Sequence, residues 1–116
     1  MELAHSLGCR PFSLADDRKA LYHAAACLAS NYLTTLLHMA EETYGSLGLT
    51  REEARRTFWP LVTGTLKNIE RSGSVQALTG PISRGDAGTI EQHLRAMAER
   101  LPAYLPAYRE LGLLTV

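Results

Sequence analysis

The stretch that decides the fold is residues 20–40, ALYHAAACLASNYLTTLLHMA, which has no Lys, Arg, Asp or Glu although charged residues make up 21% of the chain. Charged residues stand on both sides of it: Asp16, Asp17, Arg18 and Lys19 before it, and Glu41 and Glu42 after it. It contains neither Gly nor Pro, and the strong helix formers Ala and Leu supply about half of it. We therefore predict one helix over about 17–44, roughly 42 Å long. We call it the central helix, because a helix of that length in a small domain must have others packed around it.

One side of the central helix carries short polar groups. At about 100° per residue, a third of its circumference holds His23, Cys27, Ser30, Asn31, Thr34, His38 and Glu41. Such a stripe can line a cleft, or its members can satisfy one another and neighbouring backbone groups inside a core. The same polar groups argue against a membrane span, which needs about 20 largely apolar residues.

The ends of the central helix are marked by residues that favour helix termini. Asp16 or Asp17 is the expected N-cap, and the acidic first turn complements the helix dipole. Gly45 and Gly48 are expected to end the helix.

The start of the next helix is marked by a capping-box pattern, Thr50, Arg51, Glu52 and Glu53. We predict that it runs from Arg51 to about Arg71. Pro60 should kink or break it near Phe58 and Trp59, because proline lacks a backbone N–H. Gly64 in its middle indicates close packing against another helix.

Short helices and one loop complete the chain. The pair Ser72–Gly73 should end the helix, with a short helical turn at 75–78 and a loop at 79–86, TGPISRGD. Asp86 is a good N-cap for a helix over 87–100. Pro102 should open a last helix that reaches about Leu111 and stops at Gly112. The predicted fold is therefore all-α, a single helical domain of residues 16–116 around one long central helix.

Composition excludes several classes of partner. Twelve basic and twelve acidic residues give a formal net charge of zero, so neither nucleic acid nor an anionic membrane is expected as a partner. The start of the chain lacks the basic and apolar regions of a signal peptide, and two Cys without an export signal indicate reduced thiols in a cytoplasm. His5 and Cys9 are four residues apart, and so are His23 and Cys27, a spacing that places two ligands on one helix side. Cys9 is expected beyond a helix end and no further close pair completes either set of four ligands, so no metal site is predicted.

The first 15 residues are predicted to be a lead-in segment from a preceding domain. A short helical pattern at 1–7 is followed by an extended segment around Pro11, typical of an α/β unit, yet no partner strand follows. The chain has no Gly-x-Gly-x-x-Gly of its own, and Asp86 and Ala87 stand where a P-loop would need Lys and Ser or Thr. No serine sits on a strand-to-helix elbow, so a hydrolase triad has little support.

Three stretches carry a family resemblance: 22–26 with 29–31 (YHAAA, ASN), 64–68 (GTLKN) and 77–86 (ALTGPISRGD). They resemble the helical C-terminal domain of unknown function that follows a Rossmann-like NADP-binding domain in bacterial oxidoreductase-like proteins. That group is similar to the C-terminal domains of 6-phosphogluconate dehydrogenase, ketopantoate reductase and pyrroline-5-carboxylate reductase. The similarity covers about residues 10–97. The N-terminal dinucleotide domain of the family is missing here.

The resemblance implies a substrate-binding and dimerisation domain of an NADP-dependent oxidoreductase-like protein, which is not active as this isolated chain. NADP is implied for the full-length protein, and this chain alone is expected to bind no cofactor. The partners it implies are a second copy, the missing Rossmann-like domain and a small-molecule substrate.

The candidate site residues come from the same stretches. Relatives use a Lys and an Asn on the long helix, whereas no Lys lies inside the central helix of this chain. His23 and Asn31 are therefore the candidates for catalysis, since a histidine can transfer protons near neutral pH. The candidates for substrate binding are Ser30, Asn68, Thr79, Gly80, Pro81, Arg84 and Asp86.

Two alternatives remain open at this stage. Arg84 can clamp a carboxylate or phosphate, or it can form a surface ion pair with Asp86 or Glu91. The whole chain can instead be a non-catalytic helical homodimeric interaction or regulatory module. In either case a symmetric homodimer is expected, because the apolar side of the central helix needs more cover than three shorter helices give.

Overall fold

The computed structural model describes residues 16–78 and 85–115, and every regular element in those ranges is helical. The bounds are α1 at Asp16–Ala26, a π-helical turn at Cys27–Asn31, α2 at Tyr32–Gly45, α3 at Arg51–Ala77, α4 at Ala87–Arg100, a 3-10 turn at Pro102–Tyr104 and α5 at Leu105–Thr115. This confirms the all-α fold class. The predicted lead-in at 1–15 lies outside the described residues.

The chain divides into two compact units, Met1–Leu37 and His38–Val116. In the first unit the structure describes one helical segment, made of α1, the π-helical turn and the start of α2. The helix predicted over about 17–44 is confirmed as helical structure over Asp16–Gly45, with the π-helical turn inside it. Asp16 and Asp17 are already helical residues, so neither is the N-cap that the sequence indicated.

The π-helical turn is the feature of the central helix that its sequence did not reveal. The backbone N–H of Tyr32 donates to the carbonyl of Cys27, five residues earlier. The hydroxyls of Thr34 and Thr35 donate to the carbonyls of Ser30 and Asn31, at 3.0 and 3.2 Å. One extra residue in a turn rotates the residues after it by about 100° relative to an uninterrupted helix. The polar stripe predicted from uniform steps is thus offset after Asn31.

The second unit is built on a hairpin of α2 and α3. Gly45 ends α2 as predicted, and Gly48 turns the chain with a φ of 97°. The predicted capping box is confirmed: Glu53 N–H donates to the Thr50 hydroxyl at 3.1 Å, and Thr50 N–H donates to Glu53 Oε1 at 2.8 Å.

The core of the described residues lies inside this hairpin. Ala54 and Phe58 on α3 are 0% and 5% exposed, and the Phe58 ring stacks on Tyr44 of α2 with 6.2 Å between centroids. At its edge, Glu41 Oε1 and Oε2 lie 3.9 and 3.7 Å from the Nε atoms of Arg51 and Arg55. Apolar contact and ion pairs therefore join the two helices.

The break in α3 is not at Pro60. The backbone stays helical around Phe58 and Trp59, and within Arg51–Ala77 only Gly73 leaves the helical region, with φ 81° and ψ 162°. Glycine alone adopts that conformation at little cost. The end predicted at Ser72–Gly73 is thus confirmed as a sharp change of direction, after which the helix resumes to Ala77. Gly64 packs against nothing in the described residues, since a Cβ built on it meets no atom within 4 Å.

The C-terminal part of the second unit pairs α4 with α5. The predicted helix over 87–100 is confirmed, and Asp86 caps it by accepting from the backbone N–H of Thr89 at 3.1 Å. His93 Nδ1 and the Tyr108 hydroxyl lie 2.7 Å apart and join α4 to α5. The last helix is longer than predicted, because it passes through Gly112 to Thr115.

Two contacts attach this pair of helices to the end of α2. The Arg100 guanidinium donates to the Ser46 carbonyl at 2.9 Å, and the Tyr104 hydroxyl donates to Glu42 Oε1. In the described residues no helix has both the length and the apolar content that a membrane span requires.

Candidate functional site

The two candidates for catalysis lie in the first unit. His23 is in the last turn of α1, and Asn31 closes the π-helical turn, which also contains Ser30. All three are exposed. In the described part of the chain, none of the three side chains makes a hydrogen bond or an ion pair. The structure thus brings Ser30 and Asn31 together in a widened turn, a feature that is frequent at functional sites.

The remaining candidates belong to the second unit or lie outside the described residues. Asn68 is exposed on α3, where its side-chain amide oxygen accepts a hydrogen bond from the Arg71 guanidinium at 2.8 Å. The Asp86 carboxylate serves as the cap of α4 and also accepts from the Thr89 hydroxyl at 2.8 Å. The candidates that lie outside the described residues are Thr79, Gly80, Pro81 and Arg84.

The two carboxylates that the sequence offered as partners of Arg84 take part in local interactions of α4, whereas Arg84 itself lies outside the described residues. Asp86 bonds twice to Thr89, and Glu91 pairs with Arg95 at 2.8 Å.

A cluster that sequence reasoning missed lies at the end of α2. His38 Nε2 is 3.2 Å from Glu42 Oε1, and the Tyr104 hydroxyl donates to the same oxygen from the 3-10 turn. His38 and Glu42 are four residues apart and share a helix side, which the sequence shows. Tyr104 is 62 positions from Glu42, and no local pattern indicates that contact. We call these three residues the His–Glu–Tyr cluster.

Charge in the cluster is set by its hydrogen bonds. The bond from Tyr104 lowers the pKa of Glu42 below its ordinary value of 4.5, and the charges of His38 and Arg51 act in the same direction. The same bond raises the pKa of Tyr104 above 10.0, because loss of its proton would place a phenolate beside a carboxylate. At neutral pH, Glu42 is therefore an anion and Tyr104 a protonated donor.

The arrangement of donors fixes the role of the imidazole. A carboxylate only accepts hydrogen bonds, so Nε2 of His38 must carry the proton that points at Glu42. When the ring is neutral, Nδ1 then holds the lone pair. His38 is half exposed, so solvent and small molecules can reach the ring. In many enzymes the base that transfers a proton is oriented in this way by a second group, which here is the Glu42 carboxylate.

Comparison with known proteins gives one result. The family model described as "Domain of unknown function (DUF2520)" matches residues 1–115. No curated protein and no solved structure matches the chain. Since the match covers almost the whole sequence, the chain belongs to the DUF2520 family.

Proposed function

We propose that the chain is the C-terminal substrate-binding and dimerisation domain of an NADP-dependent oxidoreductase-like protein of the 6-phosphogluconate dehydrogenase C-terminal-like class. The proposal combines the resemblance of its three sequence stretches with one structural observation. That observation is a row of large apolar side chains, exposed along the central helix.

The row consists of Leu21, Leu28, Tyr32 and Leu36, which are 70%, 62%, 58% and 39% exposed. Leu21 and Leu28 are seven residues apart, and Tyr32 and Leu36, which follow the π-helical turn, are four apart, so the members of each pair share a side of the helix. We call this set the apolar row. Large apolar side chains exposed together on one helix mark a contact surface, because leaving them in water forgoes their transfer free energy.

A second copy of the chain is the occupant that we assign to the apolar row. Identical rows meet in a two-fold arrangement, which is the commonest symmetry of soluble oligomers. The chain has equal numbers of acidic and basic residues, so two copies carry no net charge that would repel them. Both points favour a symmetric homodimer.

The substrate role rests on the polar groups of the same helix. His23, Ser30 and Asn31 are exposed donors and acceptors, suited to a carbonyl or hydroxyl group of a small molecule. NADP would be held by a preceding Rossmann-like domain, since the described residues of this chain contain no strand and the sequence has no Gly-x-Gly-x-x-Gly.

Light scattering on the isolated chain at micromolar concentration tests the dimerisation role. We expect a mass of twice 12.7 kDa for the parent and a single-chain mass for Leu28→Glu, which places a charge in the apolar row. Lys19→Glu changes a charge on the same helix outside the row and should leave the dimer intact. A single-chain mass for the parent over the whole concentration range contradicts this role.

The oxidoreductase role has its own test. An upstream Gly-x-Gly-x-x-Gly in the same reading frame is expected, and the protein that contains it should bind NADP in titration calorimetry, whereas this chain alone should not. A gene without such a segment would favour the alternative, a non-catalytic homodimeric interaction or regulatory module.

A further inference from the structure

We propose that His38 is a proton-transfer residue of this domain, with Glu42 and Tyr104 as the residues that position it. The proposal rests on the proposed function for its place in a reaction. The reactivity of the imidazole itself is measurable on this chain without a cofactor.

The geometry distinguishes this cluster from an ordinary ion pair on a helix surface. An exposed pair four residues apart is mobile and contributes little by itself. Here Glu42 is also held by Tyr104, which comes from a different element, and both donors meet on Oε1. Anchoring from two directions limits the rotamers of the Glu42 side chain, so its carboxylate can hold the imidazole in one orientation.

Further anchoring surrounds the cluster. Arg100 holds the Ser46 carbonyl just after α2 at 2.9 Å, and Arg51 contributes to the lowered pKa of Glu42. Glu41, the neighbouring carboxylate, faces Arg51 and Arg55 instead of the imidazole. The two adjacent glutamates thus have separate roles, and Glu41 supplies a matched control.

The two histidines of the central helix differ in this respect. His23 is exposed and makes no hydrogen bond within the described residues, so its ring orientation is not fixed. His38 is also accessible, but Glu42 fixes the protonated nitrogen and leaves Nδ1 as the acceptor. Proton transfer requires both accessibility and orientation, and only His38 of this pair combines them.

Hydrolysis of 4-nitrophenyl acetate is the probe. The Nδ1 lone pair that would accept a proton is also the nucleophile in this reaction. It attacks the acetyl carbon, the bond to 4-nitrophenolate breaks, and water then cleaves the acetyl-imidazole to acetate and free imidazole. The measurement is the second-order rate constant at pH 7, on the full chain with both cysteines replaced by serine so that thiols do not react.

The expected result is a decrease of about twofold or more for His38→Gln, larger than the decrease for His23→Gln. If all four histidines were equally reactive, each replacement would remove only a quarter of the histidine-dependent rate. Glu42→Gln and Tyr104→Phe should also lower the rate although His38 is still present, and Glu41→Gln should not. Circular dichroism of each variant establishes that the helices are intact.

Nitrogen-15 NMR of the imidazole gives the second readout. At a pH where the ring is neutral, the parent should show His38 with its proton on Nε2, and Glu42→Gln should produce a mixture of tautomers. The proposal is overturned if His38→Gln and His23→Gln have equal effects on ester hydrolysis. It is also overturned if Glu42→Gln leaves both the rate and the tautomer unchanged. Neither result depends on the dimer or on NADP, so failure here is distinct from failure of the proposed function.

Discussion

The hydroxyl of Tyr104 donates a hydrogen bond to Oε1 of Glu42, 62 positions earlier in the chain. Glu42 belongs to the last turns of α2, and Tyr104 to the short turn that links α4 and α5. Few contacts in the described residues span such a distance in the sequence, and this one joins the C-terminal helices to the α2–α3 hairpin. It therefore has consequences both for stability and for the His–Glu–Tyr cluster.

The first prediction is that this bond stabilises the fold only in a middle range of pH. Glu42 has a lowered pKa, so its contribution is present above the ordinary value of 4.5 and is lost as pH falls through the lowered value. Tyr104 has a raised pKa, so its contribution is present below 10.0 and is lost as pH rises through the raised value.

Urea unfolding of Tyr104→Phe and of the parent at several pH values tests this. The difference in the free energy of unfolding should be constant between about pH 5 and 9.5 and should shrink on both sides, because both groups titrate only outside that interval. A difference that is independent of pH would contradict the assignment.

The second prediction concerns two glycines of α3 with opposite requirements. Gly64 is helical, and a Cβ there meets nothing within 4 Å. Gly64→Ala should therefore raise the free energy of unfolding by roughly 0.5–1 kcal/mol, because alanine is the better helix former. Gly73 has φ 81° and ψ 162°, a backbone conformation essentially closed to other residues. Gly73→Ala should therefore lower the free energy of unfolding by roughly 1–3 kcal/mol.

Thermal or urea unfolding of the two variants measures the sign of the change in the free energy of unfolding for each. If Gly64→Ala destabilises the chain, another helix packs closely against Gly64 in solution, as the sequence first indicated. If Gly73→Ala is neutral, the change of direction within Arg51–Ala77 does not persist in solution.

Local signals predicted much of this fold. The capping box of Thr50 and Glu53, the end of α2 at Gly45 and the cap at Asp86 depend on residues within one turn of each other, so the sequence contains all that decides them. The kink or break predicted at Pro60 was wrong, because the loss of one backbone hydrogen bond did not interrupt a helix that continues on both sides. The π-helical turn at Cys27–Asn31 carried no comparable local signal.

The candidate site was less predictable than the fold. His38 and Glu42 are visible as a helical pair, but the partner that makes them a cluster, Tyr104, comes from a distant segment. Tertiary contacts of this kind depend on how the helices pack, and a single sequence does not contain that information. The roles assigned to His23, Asn31 and Arg84 stay predictions.

The third prediction tests the cap of α3. Thr50→Ala removes the hydroxyl that accepts from the Glu53 N–H at 3.1 Å, so the free energy of unfolding should fall by about 1 kcal/mol. Thr57→Ala is the matched control, because Thr57 is an exposed threonine within the same helix whose hydroxyl bonds to a carbonyl four residues earlier. Its replacement should be neutral or slightly stabilising.

Both variants are compared by urea unfolding at neutral pH, well above the pKa of Glu53, which its bonds to Thr50 lower from the ordinary value of 4.5. Equal effects of the two replacements would show that the loss arises from a threonine-to-alanine change in general. The capping role of Thr50 would then be wrong.

The last prediction concerns Phe58. It is 5% exposed and stacks on Tyr44, and with Ala54 it forms the buried apolar core of the described residues. Phe58→Ala removes most of that core and leaves a cavity between α2 and α3, so the free energy of unfolding should fall by about 3–5 kcal/mol.

Leu61 is the control for this replacement. It lies one turn further along α3 and is 67% exposed, so Leu61→Ala should change the free energy of unfolding by less than about 0.5 kcal/mol. Urea unfolding measures both. Domains of this size have only about 5–15 kcal/mol in total, so the loss expected for Phe58→Ala is a large fraction of the stability, and the thermal transition of this variant, followed by near-ultraviolet dichroism, should shift to lower temperature. If the two replacements have equal effects, the apolar contact between α2 and α3 is not what holds the hairpin together, and the ion pairs of Glu41 with Arg51 and Arg55 would have to carry it.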